Sequence, residues 1–279
     1  MPSNCTNGSL RIEIAGPELD SRGKHYGVGQ AHCSADGASQ LVEKRYEGWC
    51  VGTVDSGVFH YAAEGGETLA VPGAILFGNA GEAFTCRHVG PEGNRRSVIA
   101  VGHGLMTEAA DALGLEDGAF KVAAIPPGPG SAALYGAIRH LTRSRQVLEI
   151  TLMELLAATL SIGRKSRKWK CSGRDVTRVL EIVKLLEADY AQPHELQELA
   201  ALAKFSRFHF IRVFRQVTGV SPNQFLIGVR LRVAAERLQI TSQPITSVAL
   251  ETGFNDISHF NRSFRRAFGM SPRQWRNAS

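Results

Sequence analysis

Long apolar runs are missing from this 279-residue chain. None approaches the ~18 consecutive apolar residues that a membrane-spanning helix needs, so no membrane partner is expected. The opening residues, MPSNCTNGSLRIEIAG, lack the charged start and apolar stretch of a secretory leader. Cysteine is scarce: five residues, an odd count with no C-x-x-C pair, which reads as reduced thiols rather than a disulfide framework. These absences point to a soluble, cytoplasmic protein. No nucleophile–base constellation stands out, so the chain does not read as an enzyme, and nothing in it asks for a cofactor.

What is present divides in two. The chain is long enough for two domains, and 43% hydrophobic content supports real cores. Residues 1–163 carry 12 Lys+Arg against 17 Asp+Glu, net −5, whereas residues 174–279 carry 15 against 9, net +6. Between them RKSRKWK, Arg164 to Lys170, holds five cations and no anion. An acidic front joined to a basic back suggests that only the back half meets a polyanion.

Twenty-two of the 29 glycines lie in residues 1–130. Short β-type runs sit there between turn signals: WCVGTV (Trp49–Val54), VFHYAA (Val58–Ala63), TLAVPGAILF, EAFTCRHV (Glu82–Val89) and RRSVIAVG (Arg95–Gly102). Many short strands at even spacing predict a small β-barrel or jelly roll. The stretch LAVPGAILFGNAGEAF resembles the Pro-Gly turns of cupin barrels. Small barrels hold ligands among inward side chains, and the candidate effector-lining residues are Trp49, Phe59, Tyr61, Phe84 and His88. The competing reading is plain core packing. His60, Cys86 and His88 are metal-ligand types. The H-x-H pair with downstream Glu and His that metal cupins carry is absent, so no metal is expected.

Beyond Gly102 the texture becomes helical. LMTEAADALG predicts a short helix ended by Gly114, IPPGPGS a loop, and SAALYGAIRHLTRS and QVLEITLMELLAATLSIG two further helices. The last is apolar on more than one side, through Val147, Leu148, Ile150, Leu152, Met153, Leu155, Leu156 and Leu160. Such a helix needs cover on most of its surface, either within one subunit or from a second copy in a homodimer. The resulting division is a cupin-like effector domain over 1–130, a helical segment over 131–163, a basic linker over 164–174 and a basic second domain over 175–279. The fold class is α+β with two domains, the second all-α.

The back half carries one text twice. FHFIRVFRQVTGVSP (Phe208–Pro222) returns as SHFNRSFRRAFGMSP (Ser258–Pro272), 50 residues on and without a gap. In the first copy LQELAALA forms a short amphipathic helix, Ser206 suits a helix N-cap, and the next helix puts Phe210, Val213, Phe214 and Val217 on one side. Gly219 suits its C-terminus. In the second copy Pro244–Gly253 is the supporting helix, Asn255 and Asp256 supply the cap, and Phe260, Phe264 and Ala267 take the core positions. Each copy is a helix-turn-helix, at about 196–218 and 245–268. Between them Gln224 to Leu238 reads as one helix of ~22 Å, which suits two recognition helices about one DNA turn, ~34 Å, apart. The repetitive partner is double-stranded DNA.

Base reading falls to polar side chains early in each recognition helix. Arg212 and Arg262 suit a guanine edge and Asn261 an adenine. Arg207, Ser258 and His259 suit bases or phosphate, and Phe208 and Ile211 suit thymine methyls. Arg215, Arg265 and Arg266 come later and suit backbone phosphates.

The stretch ALETGFNDISHFNRSFRRAFGMSPRQWR resembles the signature of the AraC/XylS family of bacterial transcription regulators: a helix, G-F, S-x-F-x-R-x-F-[KR], then G-x-(S/T)-P-x-x-(Y/F/W)-R. The resemblance covers about Asp175 to Ser279. It implies two helix-turn-helix units joined by a long helix, with base-reading positions on Phe208, Ile211 and Arg212, and on Ser258, His259, Asn261 and Arg262. It further implies an activator that works with RNA polymerase and a front half that senses a small-molecule effector. Two alternatives stand beside it: a cupin-type metal enzyme tethered to DNA, and a constitutive architectural DNA binder.

Overall fold

The computed structural model describes residues 10–15, 26–33, 42–89, 93–143, 149–162 and 172–277. The chain forms two compact units, Met1–Ile125 with Ala137–Lys168, and Pro126–Gly136 with Trp169–Ser279. The basic run Arg164–Lys170 lies outside the described residues.

The first unit contains strands β1 (Leu10–Ala15), β2 (Tyr26–Cys33), β3 (Val42–Arg45), β4 (Trp49–Ser56), β5 (Phe59–Ala63), β6 (Gly66–Ala70), β7 (Ile75–Gly78), β8 (Ala83–His88) and β9 (Asn94–Val101). Helix α1 (His103–Ala112) and the two-residue strand β10 (Ala124–Ile125) follow. Two antiparallel sheets result, ordered β1-β2-β9-β4-β7-β10 and β3-β8-β5-β6. Their inner faces share a core of Val54, Phe59, Tyr61, Ala70, Leu76 and Phe84. Alternation along each strand explains the set, because every second residue of a strand faces the same side. The DSG turn between β4 and β5 needs its glycine. Gly57 sits at φ +83°, and an added Cβ would lie 2.2 Å from the carbonyl oxygen of Gly93.

Helix α1 buries Leu105, Met106, Ala109 and Ala110, and Gly114 follows it at φ +66°. Helix α2 (Ala132–Arg143) contains the division between the units, and α3 (Glu149–Leu160) packs on α1. Leu152, Leu155, Leu156 and Leu160 of α3 are buried within the chain. Their apolar faces are therefore covered without a second copy. Val147 and Leu148 lie outside the described residues, as does the side chain of Ile150.

The second unit is all helix: α4 (Gly173–Ala188), α5 (Leu196–Leu202), α6 (Arg207–Thr218), α7 (Pro222–Ile240), α8 (Ile245–Glu251), α9 (Ile257–Phe268) and α10 (Pro272–Asn277). Helix α4 begins on the Ser172 cap, whose Oγ accepts from the Asp175 N–H. The linking helix α7 has 19 residues, about 28 Å at 1.5 Å per residue. It starts on a capping box in which Ser221 and Gln224 satisfy each other's backbone N–H groups. The loop and helix turn from Pro126 to Gly136 belong to this unit. Gly128 packs so close to α7 that a Cβ on Gly228 would lie 3.1 Å from its Cα, and Arg232 stacks over the Tyr135 ring at 5.1 Å.

Candidate nucleic-acid interface

Each half of the repeat builds the same device. In the first, α5 and α6 meet at a turn where the Lys204 N–H donates to the Ala201 carbonyl (2.9 Å) and the Phe205 N–H to that of Ala200 (2.9 Å). In the second, α8 and α9 meet where the Gly253 N–H donates to Leu250 (2.9 Å) and the Phe254 N–H to Ala249 (3.0 Å). Both turns use one residue in the left-handed region, Lys204 at φ +56° and Gly253 at φ +87°. The offset here is 49 residues rather than 50, and Asn255 is the extra residue that restores the register before the second cap. Phe205 and Phe254 fill the turns, each against a recognition-helix histidine, at 4.9 Å from the His209 ring and 5.8 Å from His259.

Helix α6 is capped by Ser206, whose Oγ accepts from the His209 N–H, and ends on Gly219 at φ +82°. Helix α9 is capped by Asp256, whose Oδ1 accepts from the Ser258 N–H at 2.7 Å, and ends on Gly269 at φ +73°. Phe210, Val213, Phe214 and Val217 are buried in one, Phe260, Phe264, Ala267 and Phe268 in the other. Edge-on ring contacts extend each core, Phe210 to Phe214 at 5.5 Å and Phe214 to Phe225 at 5.8 Å in the first, Phe254 to Phe260 at 5.1 Å and Phe264 to Trp275 at 6.2 Å in the second.

The opposite faces are exposed. Arg207, Phe208, Arg212 and Arg215 on α6 and Ser258, His259, Asn261, Arg262, Arg265 and Arg266 on α9 all reach solvent; Ile211 is half-buried. Phe208 is 84% exposed, the most exposed large apolar side chain among the described residues. Arg207, Arg215, Arg265 and Arg266 form no ion pair among the described residues. Two contacts were not legible in the sequence. The His209 Nδ1 accepts from the Arg212 guanidinium at 3.2 Å, and the Asp256 carboxylate stands 3.9 Å from that of Arg262. Helical spacing could have flagged the first, since positions three apart are neighbours. The arrangement offers two amphipathic helices with unneutralised cations on their outer faces, which suits a polyanion.

In the first unit Phe59, Tyr61, Phe84 and His88 stand on the inner faces of the sheets, as strand alternation from the buried core requires. Trp49 does not join them. Its neighbour Cys50 faces inward, and Trp49 stacks on His103 at 5.7 Å on the outer side of its sheet. The period-two alternation of β4 separates it from the other four. Inside, the hydroxyls of Tyr46 and Tyr61 are 2.8 Å apart and the Tyr61 hydroxyl donates to the Phe77 carbonyl at 2.7 Å. Among the described residues no group of three or more His, Cys, Asp or Glu is placed to hold a metal ion. None of the described helices is long and apolar enough to cross a membrane.

Residues 199–278 match the family model described as a helix-turn-helix domain. Among curated proteins, the chain is similar to an HTH-type transcriptional regulator of Haemophilus influenzae, with 41% identity over 83 residues, 30% of this chain and 28% of that protein. It is also similar to the HTH-type transcriptional activator RhaS of Klebsiella pneumoniae, with 33% identity over 137 residues, 49% of this chain and 47% of that one. The chain thus spans less than half the length of the curated relatives it matches. Among solved structures, one similar chain is that of a probable AraC family transcriptional regulator from Rhodopseudomonas palustris. It is 30% identical, with 37% of this chain and 96% of that one covered, at a TM-score of 0.35.

Proposed function

We propose that this chain, whose carboxy-terminal part matches a helix-turn-helix domain, is a regulator of the AraC type that binds double-stranded DNA sequence-specifically and regulates transcription. The observation that carries this reading is the pairing of α6 and α9, two matched helices whose exposed Arg207, Arg215, Arg265 and Arg266 find no acidic partner among the described residues. Base edges fall to Arg207, Phe208, Ile211, Arg212, Ser258, His259, Asn261 and Arg262, and phosphates to Arg215, Arg265 and Arg266. His209 holds the Arg212 guanidinium in place, which reduces the ordering cost when that side chain meets a base.

The regulatory part of the proposal concerns the first unit. It is a cupin-like sandwich that binds a small-molecule effector on its inner face, near Phe59, Tyr61, Phe84 and His88, and the chain acts as an activator with RNA polymerase. Such control requires the effector to bind two states of the protein unequally. The polar groups set among the aromatic residues of that face support this reading over an inert front half.

Fluorescence anisotropy of the full chain on duplex DNA tests the DNA reading. Neutralising Z phosphates gives a slope of log K against log salt of about −0.9Z. Engagement of most of the outer arginines predicts a slope of roughly −4 to −5. Affinity that does not change with salt would remove the reading.

A further inference from the structure

We propose that the inner face of the sandwich binds the carboxylate of a small monoanionic molecule with an apolar body, with Arg96 as its counter-charge and Asn94 and His88 as further hydrogen-bonding groups. The proposal rests on the reading of this domain as an effector site and names the chemical class of the effector.

Arg96 stands on β9 between Arg95, which is exposed, and Ser97, which faces the other side of the sheet. It is only 8% exposed, and its guanidinium lies 5.4 Å from the centre of the Phe59 ring. A guanidinium keeps its charge inside a protein. Yet the Arg96 Nε finds no hydrogen-bond partner, and Arg96 belongs to no ion pair among the described residues. Its polar neighbours are Cys86, Tyr46, Cys50 and Cys33. Burial pushes the Cys50 thiol up to about 11 and raises the Cys86 thiol and the Tyr46 phenol, so at neutral pH these three are uncharged. Asp55, on the adjacent strand, is turned away. It accepts from Thr53 and Ser97 and pairs with Arg139 at 2.6 Å. A buried charge without a counter-ion is costly, and a ring face offsets only part of that cost.

Two further residues with unmet polar atoms stand on the same inner face. Asn94 is 1% exposed with neither amide atom bonded, and His88 has a buried Nδ1 without a partner. Asn94 precedes Arg96 by two residues on the same strand face and pairs in register with Cys33. Cys33 Sγ is 3.1 Å from His88 Nε2, and the His88 ring is 6.2 Å from that of Phe59. Arg96 and His88 therefore both stand against the Phe59 ring, and Asn94 shares the strand face of Arg96. The register shift between Val54 and Ser56 falls opposite Arg95 and Arg96, and bulges of this kind re-aim side chains near binding sites. One cation calls for one negative charge. The planar guanidinium suits a carboxylate, and an Asn amide can donate to the same group. Apart from the hydrogen-bonded Tyr46 and Tyr61 hydroxyls, the remaining inner face, with Phe84, Leu76 and Val54, is apolar.

The test is thermal melting of the full chain with a panel of millimolar monocarboxylates, aromatic and aliphatic from two to ten carbons, beside their matched primary amides. At least one acid should raise the melting temperature by about 2 °C or more while its amide does not. Arg96→Met should abolish that shift and, without ligand, melt above the native chain because the uncompensated charge is gone. Amides that stabilise as well as acids, or an acid effect that survives Arg96→Met, would overturn the anion proposal and leave the effector reading standing. Silence from acids and amides alike would overturn both. A ligand-free Arg96→Met chain that melts below the native one would show that Arg96 is a structural residue, and the proposal would fall.

Discussion

Asp256 does two things to its own helix: it caps α9 through the Ser258 N–H at 2.7 Å and stands 3.9 Å from the Arg262 guanidinium. Both partners of the second contact are well exposed, so the pair adds little stability but competes with DNA for Arg262. Asp256→Asn keeps the cap and removes the charge. It should leave melting nearly unchanged and tighten binding to every duplex at low salt. Asp256→Ala should lose about 1 kcal/mol of stability with the cap. Chemical denaturation and anisotropy together separate the two effects.

Arg262 and Arg265 lie on one helix and are assigned different work. Arg262→Ala should cost roughly 1–3 kcal/mol on the best site and relax one base position. Arg265→Ala should weaken all sequences alike and reduce the salt slope by about one. Binding measured on a set of single-base variants checks both, and equal weakening across all of them by Arg262→Ala would contradict the base-reading role.

The turn residues give a stability test. Lys204 occupies the same left-handed position as Gly253, at φ +56° against +87°. A side chain there costs about 1–2 kcal/mol. Lys204→Gly should therefore stabilise by roughly 1 kcal/mol, whereas Gly253→Ala should destabilise, since its Cβ would lie 2.7 Å from the Ala191 carbonyl oxygen. Denaturant midpoints of the two variants give the answer.

Two phenylalanines six residues apart should behave oppositely. Phe214 is fully buried and Phe208 is 84% exposed. Phe214→Ala should cost ~3–5 kcal/mol of stability. Phe208→Ala should stay within about 0.5 kcal/mol of native stability and lose DNA affinity. A chain in which Phe208→Ala binds DNA as well as before would leave that exposed ring unexplained.

Most of the second unit was legible in the sequence, and much of the first was not. The repeat, the caps at Ser206 and Asp256 and the buried Phe pairs follow from local rules of helix periodicity and capping, which act within a few residues. Helix α4 was not recognised, although its Ser172 cap and its apolar positions Val176, Val179, Leu180 and Val183 are a helical pattern. Only its cap and first residues, Ser172 to Arg174, fall within the basic linker of 164–174. Strands β1, β2 and β3 went unread because pairing across a sheet leaves little local trace. Strand β2, YGVGQAHC, has two glycines and no alternating apolar series. Trp49 suits a ligand site on either side of its strand, and only register decides which face it takes. The inward placement of Arg96 is not legible for a related reason. Beside Arg95 it reads as a surface pair, and only the sheet turns one outward and the other inward.

The histidines of the first unit give a pH prediction. Burial lowers the pKa of both His60 and His88 below 6.5. The unfolded chain then takes up protons more readily than the folded one between the ordinary histidine value and the depressed folded values. Their contribution to stability is complete above about pH 6.5 and is lost as pH falls through the folded pKa values. Melting of the full chain should fall as pH drops below about 6.5, and His88→Gln should flatten part of that slope. A melting temperature that rises over the same interval would contradict the assignment.

Selection of binding sites from a randomised duplex library by the full chain tests the central claim most directly. The two-helix arrangement predicts enriched sites with two conserved blocks about 10–10.5 base pairs apart. Arg212→Ala should erase information in one block and Arg262→Ala in the other. No enrichment, or a single block indifferent to both substitutions, would contradict a protein that reads successive major grooves with α6 and α9.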